Sequence, residues 1–224
     1  MRTETSDFSK RSWSSLLFGA FLLCITQVPG VAQEAWTPVA SGFPQTSFEQ
    51  SGYTVNTNHA DMWDFLEGLS AASTDMRLGS YGVTREGREI PLAIFSKPLV
   101  SEPWEAWALG RPIVLLSANV HGGERTFREG LLILARDFAT PGTEANNLLD
   151  KVTVLVAPQL NPDGYEASER GARGNSWGID LNRDYVKIEQ PALASYVTNL
   201  LGEWRPHMFV DSHNGGSRPY NLCY

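Results

Sequence analysis

The chain has 224 residues, 42% of them apolar and 19% charged, and a formal net charge of −7. This is the composition of a globular domain, or of part of one, and it excludes a disordered tail or a fibre. Lys and Arg form no cluster in an acidic chain, so the electrostatic footprint needed to bind nucleic acid is absent.

The first segment reads as an address. Lys10 and Arg11 precede the apolar run from Leu16 to Ile25, and Gly30 and Ala32 supply the small residues that a signal peptidase accepts. Residues 1–32 are therefore expected to be a signal peptide cleaved after Ala32. The apolar run is short for a bilayer span, and an uncleaved anchor is the alternative. Cleavage directs the product to the periplasm or the medium, with no stable membrane association afterwards. It also removes Cys24 and leaves Cys223, which cannot close an internal disulfide alone.

Residues 33–57 are rich in Pro, Ser, Thr, Asn and Gly and read as a surface lead-in to one domain over 58–224. Asn58 can cap a helix from His59 to Ala72, with Met62, Phe65, Leu66 and Leu69 on one stripe. A strand pair follows, Met76–Tyr81 and Ile90–Ser96, turning at Arg85 to Arg88. Residues 113–118, 152–157 and 208–211 are apolar runs of buried strands, with helical spacing over 127–138 and a helix from Pro191 to about Trp204. Buried strands alternating with helices predict an α/β fold with a mixed, largely parallel sheet flanked by helices. Ligands of such sheets gather beyond the carboxyl ends of the strands. His121, Glu124, Asn161, Asp163 and His213 all follow predicted strand ends.

Three of these residues are metal-ligand types. Zinc takes imidazole nitrogen and carboxylate oxygen, and a catalytic site uses three protein ligands and one open position. His121 and Glu124, three residues apart, can turn toward one ion, and His213 can complete the set. By itself His-x-x-Glu fits a solvated loop as well. His59 and His207 stand in no motif and read as satisfied histidines, and the exposed or buried tryptophans as packing. No Gly-x-Ser-x-Gly elbow, His-Glu-x-x-His, Cys-x-x-Cys or Gly-rich nucleotide loop occurs.

The ordered set His121-Gly122-Gly123-Glu124, Asn161-Pro162-Asp163-Gly164-Tyr165, Arg173 to Arg183 (ending Asp180-Leu181-Asn182-Arg183) and Asp211-Ser212-His213 resembles the M14 family of zinc carboxypeptidases. The resemblance runs from Asn58 to the end, and its Leu181–Lys187 stretch is similar to a poorly characterised bacterial branch. It implies one zinc ion on His121, Glu124 and His213. It implies that Arg173 polarises the scissile carbonyl, that Asn182 and Arg183 grip the substrate's terminal carboxylate, and that Asp180 stands behind the first zinc histidine. Asn161 to Gly164 would shape the site without taking part in chemistry. The implied activity is metallocarboxypeptidase hydrolysis of C-terminal peptide bonds by zinc-activated water, and the implied partner is a peptide or small amide with a free carboxylate.

The family's general-base glutamate and its closing tyrosine lie well after the third ligand. Glu189 and Glu203 are poor substitutes, so the chain is expected to be the N-terminal part of a longer catalytic domain. Two alternatives stay open. The compact interval from Glu124 to His213 and the Asp-Leu-Asn-Arg run are shared with the aspartoacylase and succinylglutamate desuccinylase branch, amidohydrolases of N-acyl amino acids. A non-catalytic zinc- or peptide-binding remnant is the other.

Overall fold

The computed structural model describes residues 42–168 and 171–214. The expected signal peptide and its cleavage site, Cys24 and Cys223 lie outside the described residues. Among the described residues, no helix is long and apolar enough to cross a membrane.

The chain enters through a short helix, α1 (Ser47–Gln50), capped by Thr46 in a reciprocal box with Glu49. Helix α2 (His59–Ala72) starts where Asn58 accepts from the Asp61 N–H. It buries Met62, Phe65, Leu66 and Leu69, the four residues of the expected stripe. Strands β1 (Met76–Val83) and β2 (Glu89–Phe95) form the expected hairpin. Helix α3 (Pro103–Ala108) leads to β3 (Ile113–Ala118). Helices α4 (Thr126–Ala139) and α5 (Glu144–Leu148) lead to β4 (Thr153–Ala157), then α6 (Pro162–Glu166). A 3-10 turn at Leu181–Arg183, helix α7 (Pro191–Ser195) and β5 (Met208–Ser212) complete the described chain.

The five strands lie in the order β1-β2-β4-β3-β5. β3 pairs in parallel with both β4 and β5, while β2 pairs antiparallel with β1 and with β4. The sheet is mixed, as expected. Its antiparallel half is larger than the apolar runs imply, because the second arm of the hairpin continues the sheet alongside β4.

Alternation along the strands builds two cores, one on each face. On one face Ala93, Phe95, Val154 and Val156 meet α2 and α4. On the other, Ile94, Leu115 and Leu155 meet α7 and the segment after it, through Leu193, Tyr196 and Leu200. Helices thus cover both faces, the arrangement that nearly continuous apolar strands require.

Two details differ from the sequence reading. The helix expected from Pro191 to about Trp204 runs that length, but Tyr196–Gly202 within it winds as a π-helix. The wider turn brings Tyr196 Oη to Ser117 Oγ, 3.0 Å away on β3. Strand β5 is not buried throughout, since Met208 and Phe209 are 58% and 47% exposed. It pairs only with β3 among the described residues, and the apolar run read as a covered strand is a partly open one.

The described part of the lead-in, residues 42–57, is bolted down through buried side chains. Arg136 of α4 donates two bonds to Glu49, each 2.7 Å, and both side chains are buried. Burial alone would raise the Glu49 carboxyl, but the bonds and charge of Arg136 and the Thr46 donors hold it below its ordinary value of 4.5. A buried pair broken on one side leaves an uncompensated charge. Glu49→Gln should therefore cost about 3 kcal/mol in equilibrium urea unfolding. The folded carboxyl titrates below the unfolded one, so its contribution is complete above that ordinary value and falls as pH drops through the folded value. Urea midpoints measured from pH 7 to 3 should decline more steeply in the wild type than in Glu49→Gln.

Candidate metal centre

The site lies where β3 and β5 end side by side. Ala118 is in register with Ser212, so His121 and His213 emerge from neighbouring parallel strands. His121 Nδ1 is 2.9 Å from Glu124 Oε1, and His213 Nδ1 is 2.9 Å from Glu124 Oε2. One donor atom from each of the three lies within 4.8 Å of the others. His121 is buried, while Glu124 and His213 are half-buried and reachable from outside.

The outer nitrogens of both imidazoles are engaged. His121 Nε2 meets Asp180 Oδ1 at 3.0 Å, and His213 Nε2 meets Asp211 Oδ2 at 3.2 Å. A carboxylate on one ring nitrogen fixes the tautomer and turns the other nitrogen's lone pair toward a metal. Two such pairs aimed at one carboxylate fit a divalent ion, and a two-imidazole, one-carboxylate set suits zinc with an open position. Burial alone would raise the Glu124 carboxyl, but the hydrogen bonds and charges of His121 and His213 hold it low. Asp180 is likewise held low, against burial, by the bond and charge of His121, the Asn182 N–H and Arg173.

The loop that carries His121 and Glu124 is held from within. Asn119 sits in the left-handed region at φ 63°. Its Nδ2 donates toward the carbonyls of His121, Gly122 and Glu124, at 3.0, 3.3 and 3.0 Å. Gly122 lies against the backbone of Gly164 and Tyr165, where any Cβ would collide. Asn161 caps α6 by accepting from the Gly164 N–H and donates to Val120 O, so α6 and the metal loop are fixed to each other. Asp163 faces away, buried and bonded by Thr84 Oγ1 and Arg88 Nη1.

The residues singled out from the sequence separate into two groups. His121, Glu124, His213, Asp180 and Arg173 come together, with Arg173 Nε 2.9 Å from Asp180 Oδ2 and its Nη1 4.0 Å from Glu124 Oε1. Asn182 and Arg183 share the 3-10 turn that Asp180 caps, and Arg183 is exposed, donating to Asn182 O. His59 meets Gln159, and His207 accepts from the Ile113 N–H, so neither joins the cluster. Sequence reasoning misses Asp211 and Asn119. Asp211 was readable from strand period, since residues two apart share a face. Asn119 had only its place at the end of a buried strand.

Removing the carboxylate behind a ligating imidazole typically costs 10–100-fold in metal affinity. Asp180→Ala should weaken zinc binding by roughly that factor, read by competition with a chromophoric chelator. Unaltered affinity would show that Asp180 does not orient His121.

A protein-family model described as "Zinc carboxypeptidase" matches residues 62–216. The chain is 29% identical over 163 residues to Carboxypeptidase 2 of Trichophyton rubrum, covering 72% of this chain and 29% of that protein. It is 34% identical over 166 residues to Carboxypeptidase D of Mus musculus, covering 66% of this chain and 11% of the relative. Among solved structures it resembles a metallo-carboxypeptidase from Burkholderia cenocepacia, with TM-score 0.59 and 24% identity, over 74% of this chain and 43% of that one. It also resembles a metallo-carboxypeptidase from Pseudomonas aeruginosa in complex with (2-guanidinoethylmercapto)succinic acid, with TM-score 0.55 and 25% identity, over 72% and 40%. The chain thus spans less than a third of the first two relatives and less than half of either structure. With most of its described length matched by that family model, the chain belongs to the Peptidase M14 family of zinc carboxypeptidases.

Proposed function

We propose that this chain supplies the metal-binding part of an exported zinc metallocarboxypeptidase that hydrolyses the C-terminal peptide bond of peptides with a free carboxylate. The observation that carries the reading is the convergence of His121, Glu124 and His213, with Asp180 behind the first and Arg173 beside the second. Zinc bound there would acidify a water molecule and polarise the scissile carbonyl. His121, Glu124 and His213 are the proposed ligands, and Asp180 and Asp211 hold the imidazoles in the ligating tautomer.

The arginines divide the substrate's charges between them. Arg173 is anchored through Nε on Asp180, which leaves its other nitrogens near Glu124 to stabilise charge developing on the carbonyl oxygen. Arg183 is exposed, and a guanidinium offers a carboxylate two parallel hydrogen bonds. Asn182, beside it, adds an amide donor. Glu203 is not placed to take a proton from water. It lines a cleft with Trp104 and Trp107 near His207, which bonds the first residue of β3, at the end of that strand away from His121.

In the protein that carries this chain, His121→Ala or His213→Ala should abolish stoichiometric zinc, measured by elemental analysis of purified protein. Zinc at the wild-type level in either variant rejects the ligand assignment. Arg183→Ala should raise KM for peptide substrates by roughly 10–100-fold, the loss of a charge-assisted pair, while zinc content stays constant. C-terminally amidated peptides should be poor substrates of the wild type, and equal cleavage of acid and amide would count against an exopeptidase.

A further inference from the structure

The loop from Arg173 to Asp180 does more than flank the metal centre. Its turn is organised by Asn175, whose Oδ1 accepts from the N–H groups of Trp177 and Ile179, and whose own N–H donates to Ile179 O. Asn175 Nδ2 donates to the buried Gln190, 2.8 Å away. This rigid turn holds Trp177 65% exposed at its tip. An indole held open to water by a fixed backbone is a preorganised contact surface.

Arg85 completes that surface. Its guanidinium carbon lies 3.5 Å from the centre of the Trp177 ring, and its Nε bonds the same Gln190 oxygen. Among the described residues no carboxylate pairs with Arg85. Its neighbour Arg88 takes Glu86 and Asp163 instead. The β1–β2 turn that carries Arg85 is fixed to α6 by Thr84 and Arg88 on Asp163, which places it beside the carboxyl end of β4. Trp177 is three residues from Asp180, so at most about 11 Å of chain separates it from the carboxylate that touches His121.

We infer that Arg85 and Trp177 form a substrate subsite for a carboxylate-bearing side chain on the amino-terminal side of the cleaved bond. The carboxylate would take the outward N–H groups of Arg85, and the aliphatic part of the same side chain would lie on the indole. This rests on the peptidase reading proposed above, and assigns that site a preference for acidic peptides.

The test uses equilibrium binding to the full-length protein that carries this chain, depleted of zinc so that turnover does not intervene. Alanine-based pentapeptides carry a single Glu or Gln at the second, third or fourth residue from the carboxyl end, and Kd is measured by calorimetry. At one position Glu should bind about fivefold more tightly than Gln, the size of a partly exposed charge-assisted pair. Arg85→Met should erase that ratio, and Trp177→Ala should weaken both peptides, with the zinc stoichiometry of the reloaded variants unchanged. A Glu-to-Gln ratio that is one at all three positions, or that survives Arg85→Met, overturns the subsite. Failure of the peptidase reading looks different: the ratio responds to Arg85→Met, yet the full-length, zinc-loaded protein that carries this chain cleaves no peptide.

Discussion

Parallel pairing of β3 with β5 is the constraint on which the site depends. Parallel neighbours end on the same side of a sheet, so the chain leaving each of them enters the same crevice. With Ala118 opposite Ser212, one residue beyond β5 is His213 and three residues beyond β3 is His121. Two histidines 92 positions apart in sequence are thereby brought face to face, with ring centres 5.0 Å apart. Hydrophobic pairing fixes the register, and a slip of one residue would turn His213 to the opposite face. The apolar strands are thus as necessary to the metal site as its ligands.

The second requirement is that the loop from His121 to Glu124 hold still, and buried polar groups in α4 and α6 meet it. Arg128, fully buried in the first turn of α4, donates to Thr57 O, Asn58 O and Glu129 and packs its guanidinium on the Tyr165 ring. Tyr165 Oη donates to the same Thr57 carbonyl, and Glu129 accepts from the Thr57 N–H and hydroxyl. The lead-in, α4 and α6 are therefore joined through one residue, Thr57, and the Tyr165 backbone lies against Gly122 of the loop. A buried ion pair is weak evidence for stability, because desolvation offsets most of its attraction. Its geometric specificity is the stronger argument here, since a guanidinium bonded to these three acceptors and stacked on a ring face has few other places to go.

Much of this was legible in the sequence, and the reasons differ by element. Helix α2 was readable because its cap, stripe and length agree, with nothing in the tertiary structure opposing them. Strands β3 and β4 were readable because burial on both faces leaves an unbroken apolar run. The exposure of Met208 and Phe209 on β5 was not, since an apolar run does not record how much of it is covered. The burial of Thr46, Glu49 and Thr57 was hidden for the opposite reason: short polar residues look solvated until a partner on α4 is in view. At the site, ligand types and the Asp180 motif could be read from spacing and resemblance. Asn119, Arg128 and Gln190 could not, because each acts on backbone or side chains far from it in sequence.

Exposure sorts the site's residues by what they must do. His121, with Asn119 and Gln190 behind the loops, is buried, and groups fixed before a ligand arrives need no reorganisation when it does. Arg183, Trp177 and Arg85 are exposed on backbone that is itself tied down, by the Asp180 cap in one case and by Asn175 and Gln190 in the other two. A group that must meet a substrate cannot be sealed from water, so rigidity has to come from the loop beneath it. Arg173 stands between the two classes, with 57% of its side chain exposed while one nitrogen is pinned to Asp180. Because Asp180 also holds His121, any shift of that carboxylate moves the histidine and the arginine together. The 3-10 turn at Leu181–Arg183, capped by the same Asp180, carries Asn182 and Arg183, the two residues proposed to grip the terminal carboxylate. One short stretch of backbone thereby sets the spacing between the proposed metal, the charge-stabilising arginine and the substrate's end.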